Sequence, residues 1–356
     1  MVTSYKQAGV NLKIGEICSR IMAEAAEQTF ANRSGLFGQI QTIEKEGLHR
    51  IVIIRVGRHR LMLNSDGIGT KVEIAEKLGQ HQTLGFDLLA MLCDDAVRFG
   101  AEPLAISNIL DASHLEPATV RELAKGLTKA ASQAGVAIVS GEIAELGTRI
   151  QGGATMSYHW AGTALSILHH EITGELIKPG EAIVGLQEKG FRSNGLSLLR
   201  KVLGDHYGDN WPQQVVKEKK LGEMALYPST IYTRAVLKVL PWVHGIVHVT
   251  GGGIPGKLNR LLRPYKLGAE ITEPFSPCWL MLHCQEIADI PDREAYQTWN
   301  MGQGMLLVTP YPEKIQATSA KFEVESKIVG YISSKPGIKI TSAGYHQPGH
   351  ILNFSS

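Results

Sequence analysis

Three junctions of strand, glycine-bearing turn and helix constrain the fold of this chain more than any other feature. In each one, an apolar strand-like run enters a polar turn containing glycine, and a helix-like pattern follows at once. The junctions span 59–81, 181–203 and 244–262. Strands that alternate with helices in both halves of the chain predict an α/β (α+β) protein. The polar residues at the turns are therefore the first candidates for a functional site.

The length of the chain predicts two domains. Its 356 residues are too many for one ordinary core, and 44% hydrophobic residues suffice to bury a sizeable one. The Lys-Pro-Gly turn at 178–180 marks a change of unit, so we place the boundary near 168–176. We expect an N-terminal domain at 1–170 and a C-terminal domain at 171–356, with the polar stretch 204–222 forming a surface loop.

Composition and charge exclude several classes of function. The formal net charge is only +2 and no long basic run occurs, which gives nucleic-acid binding no support. No apolar run reaches 18 residues, and the polar start lacks the apolar core of a signal peptide. The four cysteines form no C-x-x-C pair, which disfavours a zinc site. We expect a cytoplasmic protein that binds neither membranes nor nucleic acid.

The first turn reads Asp66-Gly-Ile-Gly-Thr-Lys71 and fits neither common glycine-rich nucleotide motif. Its glycines would free backbone amides for an anion, and Lys71 would add positive charge. Asp66 repels phosphate but could hold a Mg²⁺ ion that bridges to phosphate oxygens. Gly67, Gly69 and Thr70 belong to the same candidate phosphate-binding turn. A plain corner in which Asp66 caps the next helix explains this segment equally well.

Three further carboxylates lie within an apolar helix or at the end of an apolar strand. Asp94 and Asp95 are adjacent on a predicted helix and therefore point about 100° apart, so at most one faces the same site as Asp66. The alternative for this pair is a solvated helix edge. Glu142 stands at the exit of a buried strand predicted at 136–146, where a metal ligand is plausible. The alternative for Glu142 is a helix cap after the strand.

The other two junctions offer amides and polar side chains. Three successive glycines before a helix suit an anion at the helix N-terminus, and folding alone explains them poorly. These glycines are Gly251, Gly252 and Gly253. Arg192, Ser193 and Asn194 supply donors for polar substrate groups, unless they only begin a capped helix. His248 on the preceding strand is more typical of a packed core histidine.

In this order the motifs resemble those of the phosphoribosylformylglycinamidine cyclo-ligases, also called aminoimidazole ribonucleotide synthetases. The blocks that carry the resemblance are "SDGIGTK", "DDAVRFGAEPL", "SGEIAEL", "RSNGLS", "TGGGI" and "TWNMGQGM". The resemblance runs from 5–10 to 298–305, nearly end to end. It implies a two-domain ATP-binding synthetase fold. The resemblance further implies that the N-terminal domain, a mixed sheet with helices, pairs in a homodimer. A C-terminal α/β sandwich domain is then expected to follow.

The resemblance also implies a reaction and roles for the candidate residues. The family uses ATP to activate the formyl-amide oxygen of formylglycinamidine ribonucleotide, after which a nitrogen of the same substrate closes the imidazole ring. ATP and Mg²⁺ are the implied cofactors, with Asp66, Asp95 and Glu142 as metal ligands. Lys71 would neutralise phosphate charge, which makes Asp66, Lys71 and Asp95 the catalytic candidates. The glycine triplet, Ser193 and Asn194 would line the phosphoribosyl end.

The sequence departs from the family pattern at the substrate side. Arg192 stands where the family has histidine, Met22 replaces a basic residue of the first helix, and the block at 146–150 differs. Two other functions therefore remain open. One is a paralogous ATP-using kinase or ligase that acts on another small substrate. The other is a non-catalytic nucleotide-binding protein, which the retained acidic groups disfavour.

Overall fold

The computed structural model describes residues 12–43 and 51–355 and contains two large β-sheets with helices packed against them. The resemblance block at 5–10 lies outside the described residues. Within them, no helix combines the length and the apolar character needed to span a bilayer. The prediction of a mixed α/β protein built on two sheets is confirmed.

The first sheet has six strands. They are β1 (Gln39–Ile43), β2 (Ile51–Val56), β3 (His59–Gly67), β4 (Ala101–Ala112), β5 (Ala137–Glu145) and β6 (Tyr158–Leu168). Their spatial order is β1-β2-β3-β6-β4-β5, and only β4 and β5 pair in parallel. Strands β2 and β3 form a hairpin. Strand β1 pairs with β2, a tertiary contact that local sequence does not reveal.

The described part of the first half of the chain contains four helices. They are α1 (Leu12–Gln28), α2 (Lys71–Leu78), α3 (Leu84–Val97) and α4 (Pro117–Ala134). Helices α2 and α4 end at Gly79 and Gly135, which adopt the left-handed conformation that glycine favours at a helix end. Helix α3 packs on the sheet and α4 packs on α3. The approach of α4 requires glycine at 126, since a Cβ there would lie 1.9 Å from the Gln82 carbonyl oxygen.

The rest of the chain forms a second sheet and a separate small hairpin. Its seven strands are β7 (Ala182–Gln187), β10 (Gly245–His248), β11 (Gly268–Ile271), β12 (Gln303–Thr309), β13 (Ser326–Ser333), β14 (Gly337–Thr341) and β15 (Ile351–Phe354). Their order is β10-β12-β7-β13-β11-β14-β15. The hairpin consists of β8 (Val215–Val216) and β9 (Lys219–Lys220).

Seven helices belong to this half. They are α5 (Leu196–Tyr207), α6 (Leu221–Ala225), α7 (Thr233–Val239), α8 (Gly253–Leu262), α9 (Trp279–Ala288), α10 (Asp292–Thr298) and α11 (Pro312–Lys321). The prediction of a surface loop at 204–222 is wrong, because this stretch contains the end of α5, the β8–β9 hairpin and the start of α6. Buried Trp211 and Leu221 anchor it to the main core.

The division that we propose at 168–176 falls between β6 and β7 and separates the two sheets. One continuous hydrophobic cluster nevertheless links the halves, since Leu88 and Leu92 of α3 share it with Leu199 of α5 and Ile254 of α8. The turns of the three strand–turn–helix junctions lie along this shared boundary, which positions the candidate site.

Candidate active site

The three glycine-bearing turns lie close together. The Asn194 Oδ1 atom accepts a hydrogen bond from the amide of Gly251 at 3.2 Å, which joins the second turn to the third. The first turn reaches the second at Gly69, where a Cβ would lie 3.9 Å from the Ser193 carbonyl oxygen. Turns that are distant in sequence therefore meet between the end of β3 and the start of α8, and we call this meeting place the cleft.

Asp66 presents an exposed carboxylate at the end of β3. Its Oδ1 atom accepts a hydrogen bond from the amide of Gly67 at 2.7 Å, and no other hydrogen bond to its side chain forms among the described residues. Partial burial and the nearby charge of Asp95 raise the pKa of Asp66. The helix-cap alternative is wrong, because α2 begins only at Lys71 and no side-chain cap precedes it.

Asp95 faces the same corner from α3. Its side chain is 31% exposed, and its Oδ1 atom accepts a 2.6 Å hydrogen bond from Arg98 Nε. Burial opposes ionisation here, but Arg98 and His248 hold the pKa of Asp95 well below its usual range. Asp66 and Asp95 are close enough to influence each other electrostatically. Two ionisable oxygen donors at the cleft fit a Mg²⁺ ion that keeps several of its water ligands.

Glu142 does not join this pair. In the register of the first sheet Asp66 lies opposite Gly162, and Gly162 lies opposite Asn108. Asn108 lies opposite Gly141, the residue before Glu142. Opposed residues share a face and successive residues alternate, so Glu142 points away from the face that carries Asp66. Across 12–43 and 51–355, no three His, Cys, Asp or Glu side chains are grouped to hold a metal.

Lys71 is not available to a phosphate either. Its side chain is 0% exposed, and its Nζ atom lies 2.7 Å from Asp87 Oδ1 and 2.8 Å from the Tyr227 carbonyl oxygen. Ser229 also donates a hydrogen bond to Asp87. The expected role of Lys71 in phosphate neutralisation is therefore corrected. Its charge balances Asp87 and ties the start of α2 to α3 and to the segment before α7.

Arg192 is likewise an internal cation rather than a substrate ligand. Its side chain is 1% exposed, with Nη2 at 2.9 Å from Asp94 Oδ2 and Nη1 at 3.0 Å from Glu188 Oε2. Nη1 also donates to the Thr230 carbonyl oxygen. Burial raises the pKa of Asp94 to about 6, against the opposing effect of Arg192. The expectation that Arg192 contacts substrate is corrected, because its charge is used inside the protein.

His248 connects this buried network to the cleft. Its Nε2 atom lies 3.1 Å from Arg192 Nη2, which can only donate, so the proton of the ring is on Nδ1. Nδ1 then points at Asp95 Oδ1, 3.5 Å away. Burial and the charge of Arg192 lower the pKa of His248 to about 4. His248 is therefore a neutral buried histidine at pH 7, as its position on a strand predicted.

The glycine triplet shapes the third wall of the cleft. Gly252 and Gly253 have φ values of +90° and +61°, and a Cβ at Gly253 would lie 1.9 Å from the Tyr296 carbonyl oxygen. Backbone conformation and packing thus explain two of the three glycines. At Gly251 a Cβ would meet only Asn194 Oδ1, at 3.7 Å, so space remains there for a ligand. Helix α8 starts at Gly253 without a side-chain cap.

Two further polar groups lie at this boundary: Ser193, which the sequence offered as a substrate-binding candidate, and Lys257, which it did not identify. The Ser193 Oγ atom is buried and has no hydrogen-bond partner among the described residues, which suits a residue that awaits a ligand. Lys257 on α8 lies within electrostatic range of Asp66 and Asp95. Burial and the nearby Arg98 and Arg260 lower the pKa of Lys257 to about 8. A single lysine in a helix carries no sequence signal that would have identified it.

Comparisons with known proteins agree over nearly the whole chain. Two family models match: "AIR synthase related protein, N-terminal domain" over residues 49–164 and "AIR synthase related protein, C-terminal domain" over residues 178–342. The phosphoribosylformylglycinamidine cyclo-ligase of Pyrococcus furiosus is 35% identical over 347 residues, covering 96% of this chain and 98% of the relative. That of Carboxydothermus hydrogenoformans is 32% identical, covering 93% and 96% respectively.

Solved structures resemble the fold at low sequence identity. A HypE–HypF complex superposes with a TM-score of 0.59 at 15% identity, covering 85% of this chain and 92% of that chain. AaThiL complexed with AMPPCP and TMP gives a TM-score of 0.57 at 13% identity, covering 93% and 96%. At these identities the likeness concerns the two-domain architecture alone.

Proposed function

The chain belongs to the AIR synthase related family, and from this premise we propose its reaction. It catalyses the ATP-dependent cyclisation of formylglycinamidine ribonucleotide to aminoimidazole ribonucleotide in purine biosynthesis, and releases ADP and phosphate. The observation that carries this conclusion is identity of 32–35% over 93–96% of the chain to relatives that bear the cyclo-ligase name. The cleft built from the three turns supplies a place for the chemistry.

The reaction requires positioning and charge neutralisation more than acid–base catalysis. The terminal phosphoryl group of ATP is transferred to the formyl-amide oxygen of the substrate. A nitrogen of the same molecule then attacks that carbon, and the carbon–oxygen bond breaks to release phosphate. Asp66 and Asp95 would hold Mg²⁺, which neutralises charge on phosphate oxygens when it is bound. Asn194, Ser193 and the amides at the start of α8 would orient a phosphate group.

The other two functions that the sequence left open have no observation in their favour. The neighbours with different names share only 13–15% identity and support the fold alone. Identity of 32–35% to relatives that bear the name of an enzyme also disfavours a purely nucleotide-binding protein.

A direct assay tests the proposal. Purified protein is incubated with formylglycinamidine ribonucleotide, ATP and Mg²⁺, and the aminoimidazole product and ADP are quantified. We expect equal amounts of both, and no product when any of the three components is omitted. Binding of ATP without formation of the aminoimidazole product would overturn the assignment.

Fractionation of cells would test the cytoplasmic location that we propose for this step of purine synthesis.

We also propose that the protein is a homodimer that pairs through its first sheet. The face of this sheet opposite α3 carries exposed apolar side chains, among them Leu63 and Ile109, with exposed fractions of 54% and 50%. Apolar residues that cluster on one exposed face are typical of an interaction surface. A stable interface needs roughly 800 Å² per partner, which a six-stranded face can supply.

Introducing a charge on this face should separate the subunits. For Ile109→Lys we expect the molar mass from light scattering to fall from that of a dimer to that of a monomer, because an ammonium would be buried at the interface. Leu176→Lys is the matched control, since Leu176 is 64% exposed and lies beyond the first sheet. A wild-type monomer, or an Ile109→Lys dimer as stable as the control, would exclude this interface.

A further inference from the structure

The proposed reaction places phosphate groups in a cleft whose expected cations are engaged elsewhere. Lys71 is paired with Asp87, and Arg192 is paired with Asp94 and Glu188; both cations are almost completely excluded from solvent. Withdrawing either one would leave buried carboxylates uncompensated at a cost of several kcal/mol. Beyond the charge that a bound Mg²⁺ would supply, a side-chain cation for a phosphate group must therefore come from another residue.

Lys257 has the position that such a cation requires. It lies on α8, four residues after Gly253 and so about one helical turn from the glycine triplet. Its ammonium is within electrostatic range of both Asp66 and Asp95, the two carboxylates of the cleft. Its side chain also lines a pocket with Arg98 and His248, the two residues that contact Asp95, so it belongs to the same corner as the candidate Mg²⁺ ligands.

Lys257 also has no hydrogen-bond or ion-pair partner in the part of the chain that the structure describes. The residue is only partly exposed, yet among residues 12–43 and 51–355 no hydrogen bond or ion pair to its Nζ atom is formed. A partly desolvated ammonium without a partner is unfavourable. Burial lowers the pKa of Lys257 to about 8, and repulsion by the nearby Arg98 and Arg260 contributes to this shift. Asp95, one of its two candidate counter-ions, is already paired with Arg98.

The surroundings of Lys257 favour an anion. Arg98, Lys257 and Arg260 line one pocket beside His248, and the carboxylates Asp66 and Asp95 lie within electrostatic range of Lys257. The start of α8 has no side-chain cap, so its first amides and the helix dipole add positive potential. Among the described residues the amide of Gly252 also has no acceptor. A phosphate group would satisfy these donors and the ammonium together.

We propose that Lys257 is a substrate-binding residue whose ammonium pairs with a phosphate group held at the start of α8. This inference rests on the proposed function, and it adds a residue that no motif in the sequence identified. The phosphate is either a phosphate of ATP or the 5′-phosphate of the ribonucleotide substrate, since both offer the same dianionic oxygens. Kinetics with each substrate varied in turn distinguish these two sources.

The test compares Lys257→Met and Lys257→Arg with the wild-type protein and with Lys238→Met. Lys238 is an exposed lysine at the end of α7 and serves as the matched control. We expect Lys257→Met to lower kcat/KM about 10- to 100-fold for the substrate whose phosphate it binds, as for loss of a charged hydrogen bond. Lys257→Arg should recover part of this loss, and Lys238→Met should match the wild type.

Thermal unfolding without ligands separates this role from a structural one. If Lys257 stabilised the fold, replacing it would lower the melting temperature. We expect Lys257→Met to melt at the wild-type temperature or above it, because a methionine of similar length removes a desolvated charge. A clear drop in melting temperature together with unchanged kinetics would overturn the proposal.

A binding experiment keeps this inference distinct from the proposed reaction. Should the wild-type protein form no aminoimidazole product, the proposed function fails, and titration calorimetry with Mg²⁺–ADP and with ribose 5-phosphate still tests Lys257. We expect Lys257→Met to weaken one of these two ligands about tenfold or more, relative to Lys238→Met. Values of kcat/KM within about threefold of wild type for both substrates, with unchanged ligand affinities, would overturn the inference.

Discussion

Replacing Asp66 with asparagine is expected to reduce turnover by roughly 100-fold or more. The substitution keeps the size of the side chain and its hydrogen bond with Gly67, but it removes the negative charge that a Mg²⁺ ion requires. Because the side chain is exposed and makes no other hydrogen bond among the described residues, the melting temperature should change by less than about 2 °C. Steady-state turnover and thermal unfolding measure the two effects.

Asp209→Asn is the matched control for this experiment. Asp209 is exposed and lies in the polar segment after α5, away from the three turns. We expect this variant to match the wild type in both measurements. If Asp66→Asn retained full activity, Asp66 would not be a metal ligand. If it lost activity only through unfolding, the carboxylate would have a structural role that its contacts do not indicate.

Replacing Arg192 with methionine should destabilise the protein by about 3–5 kcal/mol. The change leaves Asp94 and Glu188 buried without their cation, and it removes the hydrogen bond that fixes the ring of His248. Loss of Arg192 should also raise the pKa of Asp94 further, since the guanidinium opposes the effect of burial. Urea unfolding at neutral pH measures the free-energy change directly.

Arg200→Met provides the comparison at a partly exposed ion pair. Arg200 contacts Glu73, and the two side chains are 27% and 42% exposed, so the expected loss of unfolding free energy is below about 1 kcal/mol.

Replacing Arg192, Asp94 and Glu188 together by uncharged residues should recover part of the stability that Arg192→Met loses. A variant of Arg192 that keeps its stability but binds substrate weakly would restore the substrate role that the sequence suggested.

The sequence predicted the features that depend on local pattern. The strands and helices of the three junctions follow from apolar periodicity, and the ends of α2 and α4 follow from Gly79 and Gly135. The rule that adjacent helical residues point about 100° apart separated Asp94 from Asp95, and the structure places Asp94 in the buried network and Asp95 at the cleft.

The features that it missed depend on contacts between distant segments. The face to which Glu142 points is set by the register of four strands, which includes a bulge between Ile106 and Ser107. A shift of one residue reverses a face, and no local pattern records that shift. Lys71 and Arg192 stand in glycine-bearing turns where cations commonly bind phosphate. Their carboxylate partners, Asp87 and Asp94, are recognisable only after α3 has packed.

The fate of the substrate oxygen tests the central claim most directly. In the proposed reaction the formyl-amide oxygen receives the phosphoryl group and leaves with it as inorganic phosphate. With substrate carrying ¹⁸O at the formyl oxygen, we predict that the label appears in phosphate in proportion to the aminoimidazole product formed. Formation of ADP with unlabelled phosphate, or with no aminoimidazole product, would contradict the assignment of this chain as an ATP-dependent cyclo-ligase.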